Sequence, residues 1–253
     1  EWQITHNGEI YMLKQRFITG IAAVAAIIFG VQAAAVAQNS GSNKTAGFTV
    51  RIENISNKDG LVAQDGTKYP FALSPGFFGV SDKKMDVFRD GKKASAEVRS
   101  QAEEGNPEAL MKKFLTVLGG VNVGVFTTPV GGDKASPILP GGAYEFKFTA
   151  SQGKRLDLTT MYGQSNDLFY APKQAIDLFD AKGNPLSGDI TDRFFLWDAG
   201  TEVNEAPGIG PNQAPRQKAA GEGVRENGVV HIVKDGFTYP ETRDVLRITI
   251  TAN

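Results

Sequence analysis

Two carboxylates that follow a short apolar run are the residues best suited to do chemistry. Asp198 and Glu202 are separated by Ala-Gly-Thr and come directly after the apolar residues 194–197. The small residues allow a tight turn, so both carboxylates and the turn carbonyls could surround one hard cation such as calcium. The same spacing fits an Asx-turn, in which Asp198 accepts hydrogen bonds from backbone amides and Glu202 is solvated. From the spacing alone, the Asx-turn is the favoured interpretation.

Sequence motifs of common enzymes are missing from the chain. After residue 37 the only histidine is His231, which falls in an apparent strand, where a histidine is more often structural than catalytic. Residues 163–167 do not form a Gly-x-Ser-x-Gly elbow, and neither a His-Glu-x-x-His motif nor a phosphate-binding loop occurs. A pair of carboxylates could still perform acid–base chemistry. A hydrolase that uses such a pair therefore stays open as an alternative.

The composition excludes several other classes of function. The 253 residues contain 27 Lys+Arg and 28 Asp+Glu, a formal net charge of −1, so no basic surface for nucleic acid or an anionic membrane is expected. The chain contains no cysteine, which excludes thiol nucleophiles, disulfides, cysteine-based zinc sites and iron–sulfur clusters.

The first 37 residues predict export. Two basic residues, an apolar run and small residues ending at Ala37 are typical of a signal peptide over residues 12–37, cleaved before Gln38. An uncleaved membrane anchor over residues 17–37 is the alternative. Residues 1–11 precede the first methionine and are interpreted as upstream read-through or a scar of cloning. We expect an exported protein, periplasmic or extracellular and of bacterial origin.

Alternating apolar and polar residues predict a β domain over residues 47–253. Residues 38–46 are small and polar and are expected to be a flexible lead-in. The alternation of a half-buried strand occurs at residues 48–52, 144–148, 156–158 and 246–250, and short apolar runs at residues 194–197 and 229–233 predict two more strands.

Helical signals are confined to residues 91–119. Asn106 suits an N-cap, Pro107 suits the first helical position, and Gly119 can end the helix. An apolar stripe is predicted for this helix at Leu110, Phe114, Val117 and Leu118. The sequence therefore predicts a mostly β sandwich with one or two short helices in a long connection.

A long segment over residues 205–227 contains three Pro and four Gly and few apolar residues. It predicts an exposed loop that is too long to be a simple connection. In a secreted β-sandwich such a loop is a candidate recognition surface.

Two motifs together resemble a known family. The sequence Ser-Asn-Asp-Leu-Phe at residues 165–169, followed by Asp-Ala-Gly-Thr-Glu at residues 198–202, resembles the paired signature of the spondin N-terminal domain family of secreted proteins. Further pieces that resemble this family are Leu-Ser-Pro at residues 73–75, Pro-Gly-Gly at residues 140–142 and Leu-Thr-Thr-Met at residues 158–161. The resemblance covers nearly all of residues 47–251.

The resemblance implies a C2-like, eight-stranded antiparallel β-sandwich with calcium held by loops at one end. The family's metal ligands match Asp167, Asp198 and Glu202 of this chain. Glu202 departs from the family pattern, because it is one methylene longer than the aspartate found there, and the flexible shell of calcium tolerates this change. Asn166 and Asn204 are additional or outer-shell ligands by hypothesis.

With the family in view, we expect a secreted calcium-binding module rather than an enzyme. Its predicted role is adhesion or the binding of an extracellular protein or glycan, with calcium stabilising the loops at one end. An extracellular hydrolase that uses the same carboxylates is the alternative. No nucleic-acid partner is expected, and membrane binding is unfavourable because no basic cluster adjoins the metal loops in sequence.

Overall fold

The computed structural model describes residues 44–119 and 122–253 of the chain. Residues 1–11, the predicted signal peptide over residues 12–37 and the first six residues of the predicted lead-in lie outside this part.

The described residues are mostly β, as the sequence predicts. The strands are β1 (Thr45–Asn54), β2 (Leu61–Val62), β3 (Lys68–Tyr69), β4 (Leu73–Ser81), β5 (Val123–Phe126), β6 (Ala143–Ser151), β7 (Arg155–Tyr162), β8 (Leu168–Pro172), β9 (Ile176–Asp177), β10 (Gly188–Asp189), β11 (Phe194–Asp198), β12 (His231–Ile232) and β13 (Leu246–Ala252). The helices are α1 (Ala96–Glu104), α2 (Glu108–Leu118) and α3 (Thr242–Val245), with a 3₁₀ turn at Thr191–Arg193. Eight strands of the described part have four residues or more, and the other five have two residues each.

Most strands belong to two antiparallel sheets. The first sheet has the order β10-β13-β1-β6, and the second has the order β12-β11-β8-β7-β4-β5, with β9 also paired to β7. Strands β2 and β3 form a small separate sheet. In the first sheet Val50 lies opposite Ile250 of β13 and Phe146 of β6, so alternate residues of three strands share one face.

The main core contains side chains from both sheets. It includes Phe48, Val50 and Ile52 of β1, Phe146 and Phe148 of β6, Leu156 and Leu158 of β7, and Ile248 and Ile250 of β13. The ring of Phe78 on β4 stacks on that of Phe146, with centroids 4.2 Å apart. The predicted alternation is therefore the pattern of strands that bury one face in a sandwich.

The other face of the second sheet is covered by helices. A second cluster joins Phe77 of β4, Phe169 of β8 and Trp197 of β11 to Val98 of α1 and to Leu110 and Phe114 of α2. Because both faces of this sheet are buried, β4 and β8 consist of nearly continuous buried residues. Neither strand is predicted from the sequence, since neither shows the alternation of a half-buried strand.

Two boundaries differ from the sequence prediction. β1 begins at Thr45 and not at residue 47, because Thr45 and Ala46 pair with Ser151 and Ala150 of β6. The predicted lead-in over residues 38–46 is therefore wrong for its last two residues. Only His231–Ile232 of the predicted strand over residues 229–233 is a strand, since only these two residues pair with β11.

Helices α1 and α2 lie in the connection between β4 and β5, where the sequence predicts one or two short helices. Helix α2 begins one residue later than predicted, so Pro107 and not Asn106 is its N-cap, although the carboxamide oxygen of Asn106 accepts a hydrogen bond from the amide of Glu108 at 3.1 Å. Leu110 and Phe114 are buried, whereas Val117 is 61% exposed, because the last turn of α2 contacts the core through Leu118. No helix within the described ranges is long and apolar enough to span a membrane.

Two isoleucines at the carboxyl end of β1 provide a matched test of the sandwich core. Ile52 is fully buried in β1, and Ile55 lies just after the strand with 37% of its surface exposed. Ile52→Ala should lower the free energy of unfolding by about 2–5 kcal/mol, because it leaves a cavity between the sheets. Ile55→Ala should cost clearly less in the same urea titrations. Equal losses would contradict the described core.

Candidate functional site

The two motifs that suggest a metal site meet at one end of the second sheet. Strands β8 and β11 are antiparallel neighbours, with Leu168 opposite Asp198. The amide of Ala199 donates to the carbonyl of Asp167 at 3.2 Å, which continues the pairing beyond both strands. Asp167 and Asp198 are therefore diagonal neighbours at the end of the sheet where β8 begins and β11 ends.

Asp167 is fully buried, and one of its carboxylate oxygens accepts all of the hydrogen bonds that its side chain makes among the described residues. Oδ2 accepts hydrogen bonds from the Thr201 amide at 2.7 Å, the Thr201 hydroxyl at 3.0 Å and the Glu202 amide at 3.1 Å. Oδ1 is buried and has no hydrogen-bond partner among the described residues. A buried carboxylate oxygen without a partner is costly, and a bound cation is one group that could compensate it.

Asp198 forms the turn that the sequence predicts. Its Oδ1 accepts from the amide of Gly200 at 2.6 Å, which is the hydrogen bond of an Asx-turn, and its Oδ2 accepts from the carboxamide of Asn204 at 2.6 Å. Gly200 has a φ of +65°, and a Cβ there would lie 2.5 Å from the amide nitrogen of Val229. The turn therefore requires glycine at this position.

Glu202 is not brought to the two aspartates. Its side chain is 1% exposed, so the alternative in which it is simply solvated is wrong. Its Oε1 accepts from the Gly223 amide at 3.1 Å and lies 3.5 Å from Nη1 of Arg225. Thr201 donates to Asp167 through its hydroxyl and its amide, whereas Glu202 donates to Asp167 through its backbone amide alone. The role of Glu202 as a direct metal ligand stays a prediction.

The two asparagines position neighbouring segments. Asn166 is buried, and its Oδ1 accepts from the amide of Glu205 at 3.0 Å, while its Nδ2 has no partner among the described residues. Asn204 donates to Asp198. Both side chains therefore connect the two motifs to the segment that follows residue 202.

The electrostatics of the site oppose negative charge. Burial, and then the charge of Asp198, raise the pKa of Asp167 to about 7, against the lowering effect of its hydrogen bonds from Thr201 and Glu202. Burial likewise raises the pKa of Asp198, although the hydrogen bond from Gly200 lowers it. A proton or a bound cation would reduce the cost of burying these two carboxylates.

Glu103 and Arg225 belong to the surroundings of the motif and are missed by sequence reasoning. Nη1 of Arg225 lies 2.6 Å from Oε1 of Glu103 in α1, and the Glu103 side chain is 1% exposed. Burial, and then the charge of Glu103, raise the pKa of Glu202 to about 7, whereas Arg225 lowers it. These three residues are distant in sequence and share no spacing, so no local pattern could have identified them.

Metal-ligand geometry is only partly present in the described residues. Across residues 44–119 and 122–253, no three acidic or histidine side chains are close enough together to hold a metal ion. Asp167 and Asp198 supply two adjacent carboxylates, and any further ligands would have to come from the turn backbone or from water.

Comparison with known proteins adds no family to these observations. A scan against models of known protein families finds no match, and a search of curated protein sequences finds none. The resemblance to the spondin N-terminal domain therefore rests on the motif residues and stays a prediction.

The segment over residues 205–227 is only in part the exposed loop that the sequence predicts, since its second half is largely exposed and its first half is not. Its first half is folded around Gln213, which is fully buried. Gln213 donates to the carbonyls of Glu205 and Ala206, accepts from the amide of Gly208, and contacts the guanidinium of Arg216. This half of the segment is part of the fold, because a polar side chain inside it satisfies the backbone groups of its turns.

The hydrogen bonds of Asp167 predict a specific pattern of stability. In calcium-free buffer at pH 7, Asp167→Ala should lower the free energy of unfolding by about 2–4 kcal/mol, because the buried amides of Thr201 and Glu202 lose their acceptor. Asp167→Asn should cost less than half of this, since it keeps an oxygen at the same place. Urea titrations measure both values, and equal losses would contradict the assigned hydrogen bonds.

The buried glutamine of the loop provides a second test. Gln213→Ala should destabilise the protein by about 1–3 kcal/mol, because it leaves the amide of Gly208 and two carbonyls without partners. Gln217→Ala, a nearby and only half-buried control, should change stability by less than about 0.5 kcal/mol. If Gln213→Ala were as mild as the control in urea titrations, the loop would not be part of the folded unit.

Proposed function

We propose that this protein is a secreted, calcium-binding β-sandwich module that serves adhesion or the binding of an extracellular protein or glycan. Calcium binds Asp167 and Asp198 and stabilises the end of the second sheet. The observation that carries the proposal is the buried Oδ1 of Asp167, which has no partner among the described residues and belongs to a carboxyl group whose pKa is raised by burial and by the charge of Asp198.

The donor chemistry favours calcium over other metals. Both carboxylates are hard oxygen donors, and the neighbouring turn adds carbonyl oxygens, which suits an ion with a flexible shell of oxygen ligands. The chain has no cysteine, and His231 on β12 lies opposite Asp198 as the only histidine of the described part, so a soft or nitrogen-rich site is disfavoured.

The roles of the other predicted ligands follow from their hydrogen bonds. Asn204 orients the carboxylate of Asp198, and Asn166 holds the segment after the motif. Glu202 acts through its backbone amide, which donates to Asp167, while its carboxylate interacts with Arg225. Calcium at the two aspartates would therefore join the start of β8 to the turn after β11.

The alternative of an extracellular hydrolase has less support. Asp167 and Asp198 are 0% and 3% exposed, and neither lines the surface cavities next to Trp197, Tyr69 or Thr201. A general acid or base needs contact with its substrate. Buried carboxylates away from these cavities fit a structural ion better than catalysis.

Calcium titration of the purified protein tests the proposal. Calorimetry should show one saturable site with a dissociation constant on the order of 10⁻⁴ to 10⁻³ M, the range of extracellular modules. In 10 mM calcium the melting temperature should rise relative to chelator, since binding to the folded state alone stabilises it by about 1–3 kcal/mol. Asp167→Asn and Asp198→Asn should each lose both effects.

Two further variants make this test specific. Asp133→Asn, an exposed aspartate in the connection between β5 and β6, should behave as wild type. Glu202→Gln should retain calcium binding if the ion uses only the two aspartates. Wild-type protein that melts at the same temperature in calcium and in chelator, with no heat of binding, would refute the calcium site.

A further inference from the structure

A cleft of about 720 Å³ opens beside the helix-covered face of the second sheet. It lies between residues 84–90, which follow β4, and residues 172–175 at the end of β8. Asp157 of β7 and Trp197 of β11 also line it. This volume is within the range of sites that bind small molecules or single side chains. We call it the Asp157 cleft.

Asp157 lies in the cleft because of the alternation of β7. Its neighbours Leu156 and Leu158 point into the main core, so Asp157 points to the opposite face of the sheet. That face is otherwise apolar at Phe77 and Trp197. A carboxylate on such a face is unfavourable unless a polar or charged group meets it.

The carboxylate of Asp157 has no hydrogen bond or ion pair among the described residues, although it is half-buried. Burial raises the pKa of Asp157 to about 7, with a lowering effect from Arg155 and a raising effect from Asp86. Asp86, across the cleft, is by contrast satisfied, since it pairs with Arg89 and with Lys84 at 3.1 Å. Asp157 is therefore the half-buried lining acid without a partner among the described residues, whereas Asp90 is exposed to solvent.

The remainder of the cleft has an aromatic wall and a rim of mixed charge, on which Lys173 is a cation without an acidic partner among the described residues. The Phe88 ring packs against the Trp197 ring with centroids 4.8 Å apart. Lys173 is exposed at the rim, where its ammonium lies 5.0 Å from the centroid of Phe195 and pairs with no carboxylate of the described residues. The charged groups that line the cleft with Asp157 are Lys84, Asp86, Arg89, Asp90, Arg155 and Lys173.

This arrangement selects a particular class of ligand. An ammonium group would pair with Asp157, and an alkyl chain would contact the aromatic wall. A second cation at the Lys173 end of the ligand would be repelled by that ammonium, whereas an anionic group there would pair with it. We propose that the Asp157 cleft binds an alkylammonium group whose other end is a carboxylate, as in a free ω-amino acid or a C-terminal lysine.

The cleft is independent of the proposed calcium site. It contains neither Asp167 nor Asp198, so either proposal can fail without the other.

Calorimetric titration with 6-aminohexanoate at pH 8 and constant calcium tests the cleft. The ligand should bind saturably, and hexylamine, hexanoate and 1,6-diaminohexane should each bind at least about fivefold more weakly, since each lacks one charge or carries a repelled one. Nα-acetyl-lysine presents the same ammonium and carboxylate as a C-terminal lysine. Its binding would identify a protein terminus as the source, and binding of 6-aminohexanoate alone would identify a free ω-amino acid.

Variants separate the two ends of the ligand. Asp157→Asn should weaken the affinity for 6-aminohexanoate by about tenfold or more, because a charge-assisted hydrogen bond is lost. Lys173→Gln should weaken the affinity for 6-aminohexanoate but leave the affinity for hexylamine unchanged. Asp133→Asn, which does not line the cleft, is the control. Melting curves of Asp157→Asn that match wild type would show that the variant is folded.

The pH dependence adds a signature that a structural role would not produce. The ligand ammonium, with a pKa near 10.4, stays charged while Asp157 ionises with a pKa of about 7. Affinity should therefore rise by roughly tenfold or more from pH 5.5 to pH 8 in wild type and stay flat in Asp157→Asn. Binding of no probe at millimolar concentration would overturn the proposal, and so would binding of 6-aminohexanoate that Asp157→Asn retains in full.

Discussion

A single carboxylate oxygen determines how one end of the molecule is assembled. Oδ2 of Asp167 accepts hydrogen bonds from Thr201 and Glu202, which lie more than 30 residues further along the chain. These bonds fix the turn that follows β11. The turn carries Glu202, which pairs with Arg225 in an isolated β-bridge, so the segment around Arg225 is held in place as well. The cost is a second oxygen of the same carboxylate left buried without a partner. A cation bound at this point would therefore help to order several loops at once.

The second sheet is buried on both faces, so each acidic side chain on it points to a binding or structural role. A sheet with one solvated face carries charges freely, but here the main core covers one face and α1 and α2 cover part of the other. Burial is the main cause that raises the pKa of three acids in or beside this sheet, Asp157, Asp167 and Asp198. Acids in such positions lower stability unless they bind a proton, a metal or a ligand. The same packing thus underlies the metal hypothesis and the ligand cleft.

The sequence predicts those strands and helices that bury one face and expose the other to solvent. β1, β6 and β13 follow their alternation, and the signals around Asn106 and Gly119 place α2 within one residue. β4 and β8 lack alternation because both of their faces are buried, so the sequence does not reveal them. At the site, the motifs predict the proximity of Asp167 and Asp198. They cannot predict that Glu202 meets Arg225 and Glu103, since that contact depends on how α1 packs.

The placement of β1 has a consequence for how the polypeptide is made. β1 lies between β6 and β13, and its residue Val50 pairs with Phe146 and with Ile250. During synthesis, the apolar face of β1 therefore emerges long before either neighbour exists, and the first sheet cannot close until residues 246–252 arrive. Nascent chains in this interval expose Phe48, Val50 and Ile52 on an unpaired strand, a feature that promotes aggregation. A chaperone that binds extended apolar segments would find its principal target at the beginning of this domain.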